Sequence, residues 1–180
     1  MKALLVIDML KGFIYGNKDQ RVIRKKQTKK LIQKIRKVID LAHKKNIPII
    51  YINCNHKKTD PCVKISGKHA MKGTKGAQVI DGLKPTKKDH IVKKIAFDGF
   101  YKTRLEKLLK RLKIKEIYLT GVQTDVCVRE TGVSGAYRGF KVFLIEDCCA
   151  TNLKVNHTSS IMFFVKTNAG KIVKSNNLKW

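Results

Sequence analysis

Hydrophobic and polar positions change period several times along this chain, and the changes mark its elements. Ala3 to Ile7 (ALLVI) is an unbroken apolar run, as expected of a strand covered on both faces. Met9 to Asn17 reads as a loop broken by Gly12 and Gly16, with Phe13 as an apolar side chain available to a pocket. From Arg24 to Lys45 the period becomes helical. Leu31, Ile32, Ile35, Val38, Ile39 and Ala42 share one face, and lysines take the other. Ile47 to Ile52 is a second strand, with Pro48 tolerated near its start. Asn53 to Pro85 shows no period. A loop of that length inside a domain usually forms a wall of a site.

His90 to Ile95 is a short strand carrying two lysines, and the FDGF segment (97 to 100) is a turn. Thr103 is placed to cap a helix over Arg104 to Lys113, whose leucines at 105, 108, 109 and 112 form a stripe. Ile117 to Thr120 is a buried strand that Gly121 ends, and a helix follows to about Tyr137, capped by Thr124 or Asp125. Lys141 to Ile145 is a further strand, His157 to Thr167 a helix and Lys171 to Val173 a last short strand. Strands and helices alternate throughout. The expected fold is a three-layer α/β/α, doubly wound, mainly parallel sheet in one domain over 1–180. No Gly-x-Gly-x-x-Gly follows the first strand and no Walker sequence occurs, so neither a dinucleotide nor a P-loop site is supported.

Charge adds one expectation. Forty Lys and Arg against 13 Asp and Glu give a formal net charge of +27. Such a surface binds nucleic acid weakly, non-specifically and in a salt-sensitive way. The excess is mostly lysine spread along the whole chain, without the aromatic-plus-arginine motif of an RNA-binding module, so it reads first as the bias of a lysine-rich proteome in a high-salt or polyanion-rich cytosol. The five cysteines show no disulfide framework, and Cys148 and Cys149 are adjacent. No apolar run approaches a membrane span, and MKALLVIDML is too short and interrupted for a leader. A reducing, cytoplasmic setting is expected.

Two positions carry candidate chemistry without any comparison. Asp8 stands at the end of the first strand, where open α/β sheets place their ligands; alternatively it caps the following turn. Cys127 falls in the first turn of the helix that follows the fourth strand. There the free N–H groups and the positive end of the dipole favour a thiolate. Its plain alternative is a small buried apolar residue between Val126 and Val128. Cys54, His56 and His69 lie in the irregular stretch and form a weak triplet of metal donors with an open position.

Three segments together carry a resemblance: Asp8 after an apolar strand, a lysine shortly before Gly99-Phe100-x-x-Thr103-x-Leu105, and TGVQTDVCV over residues 120–128. The chain resembles the isochorismatase-like cysteine hydrolases, the nicotinamidase branch above all. KHAMKGTKGA (68–77) and AYRGFKVFLIEDCCA (136–150) are similar to further stretches of the family. The resemblance implies a triad of Asp8, Lys94 and Cys127, with Lys94 preferred over Lys93 for its spacing to Phe100. Cys127 would attack an amide carbonyl, Asp8 would act as general base and then acid, and Lys94 would keep both in their charged forms. The N–H groups of Gln123 and Cys127 would form an oxyanion hole, with a cis bond between Val122 and Gln123. Phe13 and Val122 would line the substrate pocket. Ammonia would leave, and water would hydrolyse the thioester.

Metal-dependent members of that branch carry Asp-x-His and a later His. Here Cys54 stands in place of the Asp, with His56 and His69 as the histidines, a set that suits zinc. Leu10 also replaces a polar residue common after the catalytic Asp. The expected activity is therefore a nicotinamidase-like amidohydrolase, or a related cysteine hydrolase of another small amide or carbamoyl compound. An isochorismatase, or a polyanion-binding protein without activity, follows at a distance. Members of the family commonly form dimers or tetramers, so a homo-oligomer is expected.

Overall fold

The computed structural model describes residues 1–180 and contains one six-stranded sheet in the order β3-β2-β1-β4-β5-β6. The strands are β1 (Lys2–Ile7), β2 (Ile49–Cys54), β3 (His90–Lys94), β4 (Glu116–Val122), β5 (Lys141–Ala150) and β6 (Lys171–Val173). Every neighbouring pair runs parallel. The helices between them are α1 (Lys11–Tyr15), α2 (Lys25–Lys44), α3 (Pro61–Ser66), α4 (Leu105–Arg111), α5 (Arg129–Tyr137) and α6 (Lys154–Thr167). The three-layer α/β/α expectation holds.

Each face of the sheet buries its own core. On one face the stripe Leu31, Ile35, Val38 and Ile39 of α2 packs on Leu4, Val6, Ile49 and Tyr51. On the other, Leu105, Leu108 and Leu109 of α4 and Phe164 of α6 pack on Leu5, Ile7, Ile52 and Leu119. Each side chain buried this way contributes about 1.5–3 kcal/mol. Thr103 serves α4 as its sequence suggests: its Oγ1 accepts the Leu105 N–H at 3.1 Å.

Several boundaries differ from those the sequence suggests, each for a physical reason. Met9 to Asn17 holds α1, whose Phe13 and Ile14 are buried in the core. Gly121 does not end β4. The strand runs on to Val122 because its pairing with β1 continues, Ile7 opposite Gly121. Gly121 has φ +116°, and a Cβ there would lie 1.9 Å from the Ile7 carbonyl oxygen. Only glycine permits that approach of two backbones. β5 likewise continues through Glu146 and Asp147 to Ala150, because Cys149 and Ala150 pair with Gly121 and Val122 after a shift of register. Neither Thr124 nor Asp125 caps a helix. The chain enters α5 through a π-helical turn over Thr124–Val128, and both side chains reach sideways to α6 instead.

Chain order reverses direction in the sheet between β1 and β4. A crevice opens outside the carboxyl ends of strands at such a point. Register places Ile7 beside both Ile52 and Gly121, and Cys54 beside Lys94. The residues at or just past these strand ends therefore meet at one edge.

Candidate active site

Asp8 is the first residue past β1, fully buried, with φ +53°. Aspartate tolerates this left-handed conformation better than most residues. Its Oδ1 accepts the Cys54 N–H at 2.7 Å, which fixes the carboxylate at the end of β2. Its Oδ2 lies 2.9 Å from Lys94 Nζ, and both side chains are wholly inaccessible to water. The alternation of β3 explains which lysine reaches Asp8: Lys93 points out and is exposed, and Lys94 points in.

Cys127 sits in the π-helical turn beyond β4, 7% exposed. The Lys94 ammonium reaches its sulfur at 3.3 Å. It also reaches the Ala96 carbonyl at 2.9 Å and the Cys54 sulfur at 2.9 Å. The Asp8 carboxylate and the sulfurs of Cys54 and Cys127 all lie within 4.8 Å of one another. Acid, ammonium and sulfur, far apart in sequence, thus come together. The bond between Val122 and Gln123 is cis.

Burial alone would favour a neutral Lys94. The charge of Asp8, then the proximity of the Cys127 and Cys54 sulfurs, outweighs that and holds its proton well above the ordinary lysine range. Burial, then the contact with Cys127 and the charge of Asp8, pushes the Cys54 thiol up. Cys54 is accordingly a protonated thiol, and it donates to Asp8 Oδ2 at 3.4 Å. Sequence reasoning missed this position of Cys54, placing it only among metal donors. The signal was its place at the end of β2 next to β3.

Two contacts set the turn bearing Cys127 against α6. Thr124 Oγ1 is 2.9 Å from His157 Nδ1, and Asn156 donates to Asp125 Oδ2 at 2.9 Å. Neither partner was evident in the sequence, because each contact joins side chains from two separate elements. On the other side, Gly99 N–H donates to Thr131 Oγ1 at 2.9 Å, tying the FDGF turn to α5.

A cavity of about 260 Å³ opens above the sulfur of Cys127. Phe13, Val122 and Gln123 line it, with Cys54 and His69 on one side and Lys68 at its wall. The second cluster lies on that side. Cys54 Sγ and a ring nitrogen from each of His56 and His69 lie within 4.8 Å of one another. His56 is fully buried and neither ring nitrogen has a hydrogen-bond partner, an arrangement that is costly unless a ligand satisfies it. Burial, then the neighbouring His69 and Lys94, makes its ring harder to protonate. His69 Nδ1 faces the Gly67 carbonyl at 2.8 Å, so Nδ1 carries the hydrogen and Nε2 keeps its lone pair. Two imidazoles and a cysteine sulfur are a donor set that fits a zinc ion. Cys54 belongs to both clusters, and its sulfur serves the ammonium in this structure.

Comparison with known proteins places the chain in a family. A family model for the isochorismatase domain matches residues 2–175. The chain is 29% identical over 171 residues to a probable inactive nicotinamidase of Arabidopsis thaliana, covering 89% of this chain and 86% of that protein. The crystal structure of N-carbamoylsarcosine amidase from Thermoplasma acidophilum is 31% identical, with a TM-score of 0.89 over 99% of both chains. A pyrazinamidase of Pyrococcus horikoshii in complex with zinc is 26% identical, with a TM-score of 0.84 over 96% of this chain and 98% of that one. With nearly its whole length matched, its sheet shared and its strand ends carrying the motifs first read from sequence, the chain belongs to the isochorismatase family of hydrolases.

Proposed function

We propose that the chain is a cysteine-dependent amidohydrolase that converts a small amide to the acid and ammonia through a thioester on Cys127. One observation carries this reading: a fully buried ammonium, Lys94, joins the carboxylate of Asp8 to the sulfur of Cys127, and Cys127 lines a cavity. The cation stabilises negative charge on sulfur, and Asp8 is the proton acceptor on the same edge. The Cys127 sulfur attacks the carbonyl carbon, and the oxygen takes up the negative charge toward the N–H groups of Gln123 and Cys127. Collapse breaks the C–N bond. The proton held at Asp8 goes to the departing nitrogen, which leaves as ammonia. Water then adds to the thioester with Asp8 again taking a proton, and Cys127 is released.

Phe13 and Val122 fit the flat apolar faces of a nicotinamide-like ring. Zinc at Cys54, His56 and His69 would supply an open coordination position for a donor atom of the substrate. Metal analysis of the purified chain tests this, with His56→Ala expected to lower bound zinc at least about tenfold. A second reading, a carbamoyl substrate, rests on Cys54. Its sulfur is engaged by Lys94 and Asp8, which leaves the metal set without a free third donor. The 31% identical relative is an N-carbamoylsarcosine amidase, in keeping with that reading.

The experiment is ammonia release from nicotinamide and from a set of N-carbamoyl amino acids, compared between wild type and Cys127→Ala. Release from either class that disappears in the variant supports the amidohydrolase and selects the substrate. No release from any amide or carbamoyl compound overturns it.

A further inference from the structure

The mechanism above uses one sulfur, yet two meet at the ammonium. Cys54 and Cys127 each lie within hydrogen-bond reach of Lys94 Nζ, at 2.9 and 3.3 Å. Their sulfurs are within 4.8 Å of each other and both line the same cavity. They come from separate elements, the end of β2 and the π-helical turn. The other thiols are placed differently. Cys62 faces His69 Nε2 at 3.5 Å, and Cys149 faces the Leu119 carbonyl at 3.6 Å inside the sheet.

We propose that Cys54 and Cys127 are a modification site: a hydroperoxide entering the cavity converts them to a reversible intramolecular disulfide that takes the nucleophile out of use. The Cys127 thiolate attacks one peroxide oxygen and the O–O bond breaks. Sulfur is oxidised to sulfenic acid, and the second oxygen leaves as water or the corresponding alcohol after taking a proton. The Cys54 sulfur then attacks the Cys127 sulfur. The S–O bond breaks, the Cys54 proton goes to the departing oxygen, and water leaves. Two thiols lose two electrons and two protons in all, and the peroxide gains them. Lys94 lies beside both sulfurs, where it stabilises negative charge on Cys127 in the first step and charge developing on Cys54 as its proton leaves in the second. Closing the gap to the S–S length of about 2 Å brings the two sulfurs together from within 4.8 Å. Cys127 reacts first because it is the more exposed of the two, at 7% against 1%.

Without a partner, a sulfenic acid in such a site goes on to sulfinic acid, which ordinary thiols do not reverse. Cys54 therefore acts as a resolving cysteine that keeps oxidation of Cys127 recoverable.

The test uses the wild-type chain and needs no substrate, so it stands or falls apart from the amidase reading. The protein is treated with hydrogen peroxide, remaining thiols are blocked with N-ethylmaleimide, and peptides are mapped by mass without reduction. The expected result is one cross-linked species joining the Cys54 and Cys127 peptides, two hydrogens lighter than their sum. Free thiols fall by two from the five in the chain, and dithiothreitol restores them. In Cys54→Ala and Cys54→Ser, Cys127 is expected two oxygens heavier and not restored. Wild-type Cys127 recovered as sulfinic acid with Cys54 free overturns the proposal, as does linkage of Cys127 to Cys62, Cys148 or Cys149. So does equal recovery of Cys127 in wild type and both variants.

Discussion

β4 and β5 lie side by side, and each brings cysteine to the carboxyl edge of the sheet. On β5, Cys148 and Cys149 are still inside the strand. Burial pushes the Cys148 thiol up to about 12 and Cys149 well above the ordinary thiol range. Past β4, Cys127 has left the ladder, sits on a turn, and meets an ammonium at 3.3 Å on the wall of a cavity. The residue type is the same and the depth in the molecule is similar. A strand encloses a thiol among apolar neighbours, where only its neutral form is tolerated. A turn beyond the strand can present it to a charge and to a ligand.

The largest break in that contrast is expected from Cys127→Ala. Turnover of the amide identified in the substrate assay should fall at least about 10⁴-fold, whereas Cys148→Ala and Cys149→Ala should leave it within about twofold. The β5 variants should instead cost stability, about 1–2 kcal/mol by urea denaturation, through the space left in the core. Activity lost equally in Cys149→Ala would mean that position along the edge, not the ammonium, is what matters. Next comes Lys94→Met, which keeps much of the side-chain volume and removes the charge. Asp8 would then be a buried carboxylate without its cation, and stability should fall by roughly 3–5 kcal/mol. The same change should bring Cys127 closer to the β5 thiols in behaviour. In wild type, iodoacetamide should label Cys127 at least about tenfold faster than Cys148 or Cys149, and Lys94→Met should remove most of that advantage. Equal labelling of all three in wild type would erase the distinction.

Much of this was legible in the sequence, and the missing parts share a cause. The apolar run ALLVI, the α2 stripe and the leucines of α4 announced themselves because periodicity is local. Lys94 could be preferred over Lys93 through motif spacing, and alternation in β3 agrees. The extra residues at the ends of β4 and β5 were not legible, because they are held by pairing with neighbours rather than by their own propensity. Gly121 looked like a stop signal for the same reason; its requirement comes from the Ile7 carbonyl on another strand. Cys54 was read with His56 and His69 because they are near in sequence. Its link to Lys94 depends on β2 and β3 being adjacent, which only the strand order decides.

The smallest expected effect concerns how the turn bearing Cys127 is held. Thr124 in that turn meets His157 Nδ1 of α6 at 2.9 Å, and in the neutral ring this nitrogen can accept the hydroxyl hydrogen. The thiols of β5 have no such dependence, since the sheet ladder holds their backbone. Burial lowers the His157 value, against weaker opposing effects of Glu146 and Asp125. A histidine harder to protonate when folded than when unfolded contributes stability that is complete above the unfolded value of about 6.5 and declines as pH falls from there through the depressed folded value. Protonation also removes the lone pair that accepts from Thr124. Wild type should therefore lose stability between about pH 7.5 and 5.5, and His157→Asn, which can still accept but does not titrate there, should lose less. His56 is shifted in the same direction and is present in both chains, so the difference between the two profiles isolates His157. Parallel profiles would place the anchoring of the turn bearing Cys127 in the Asp125–Asn156 contact instead.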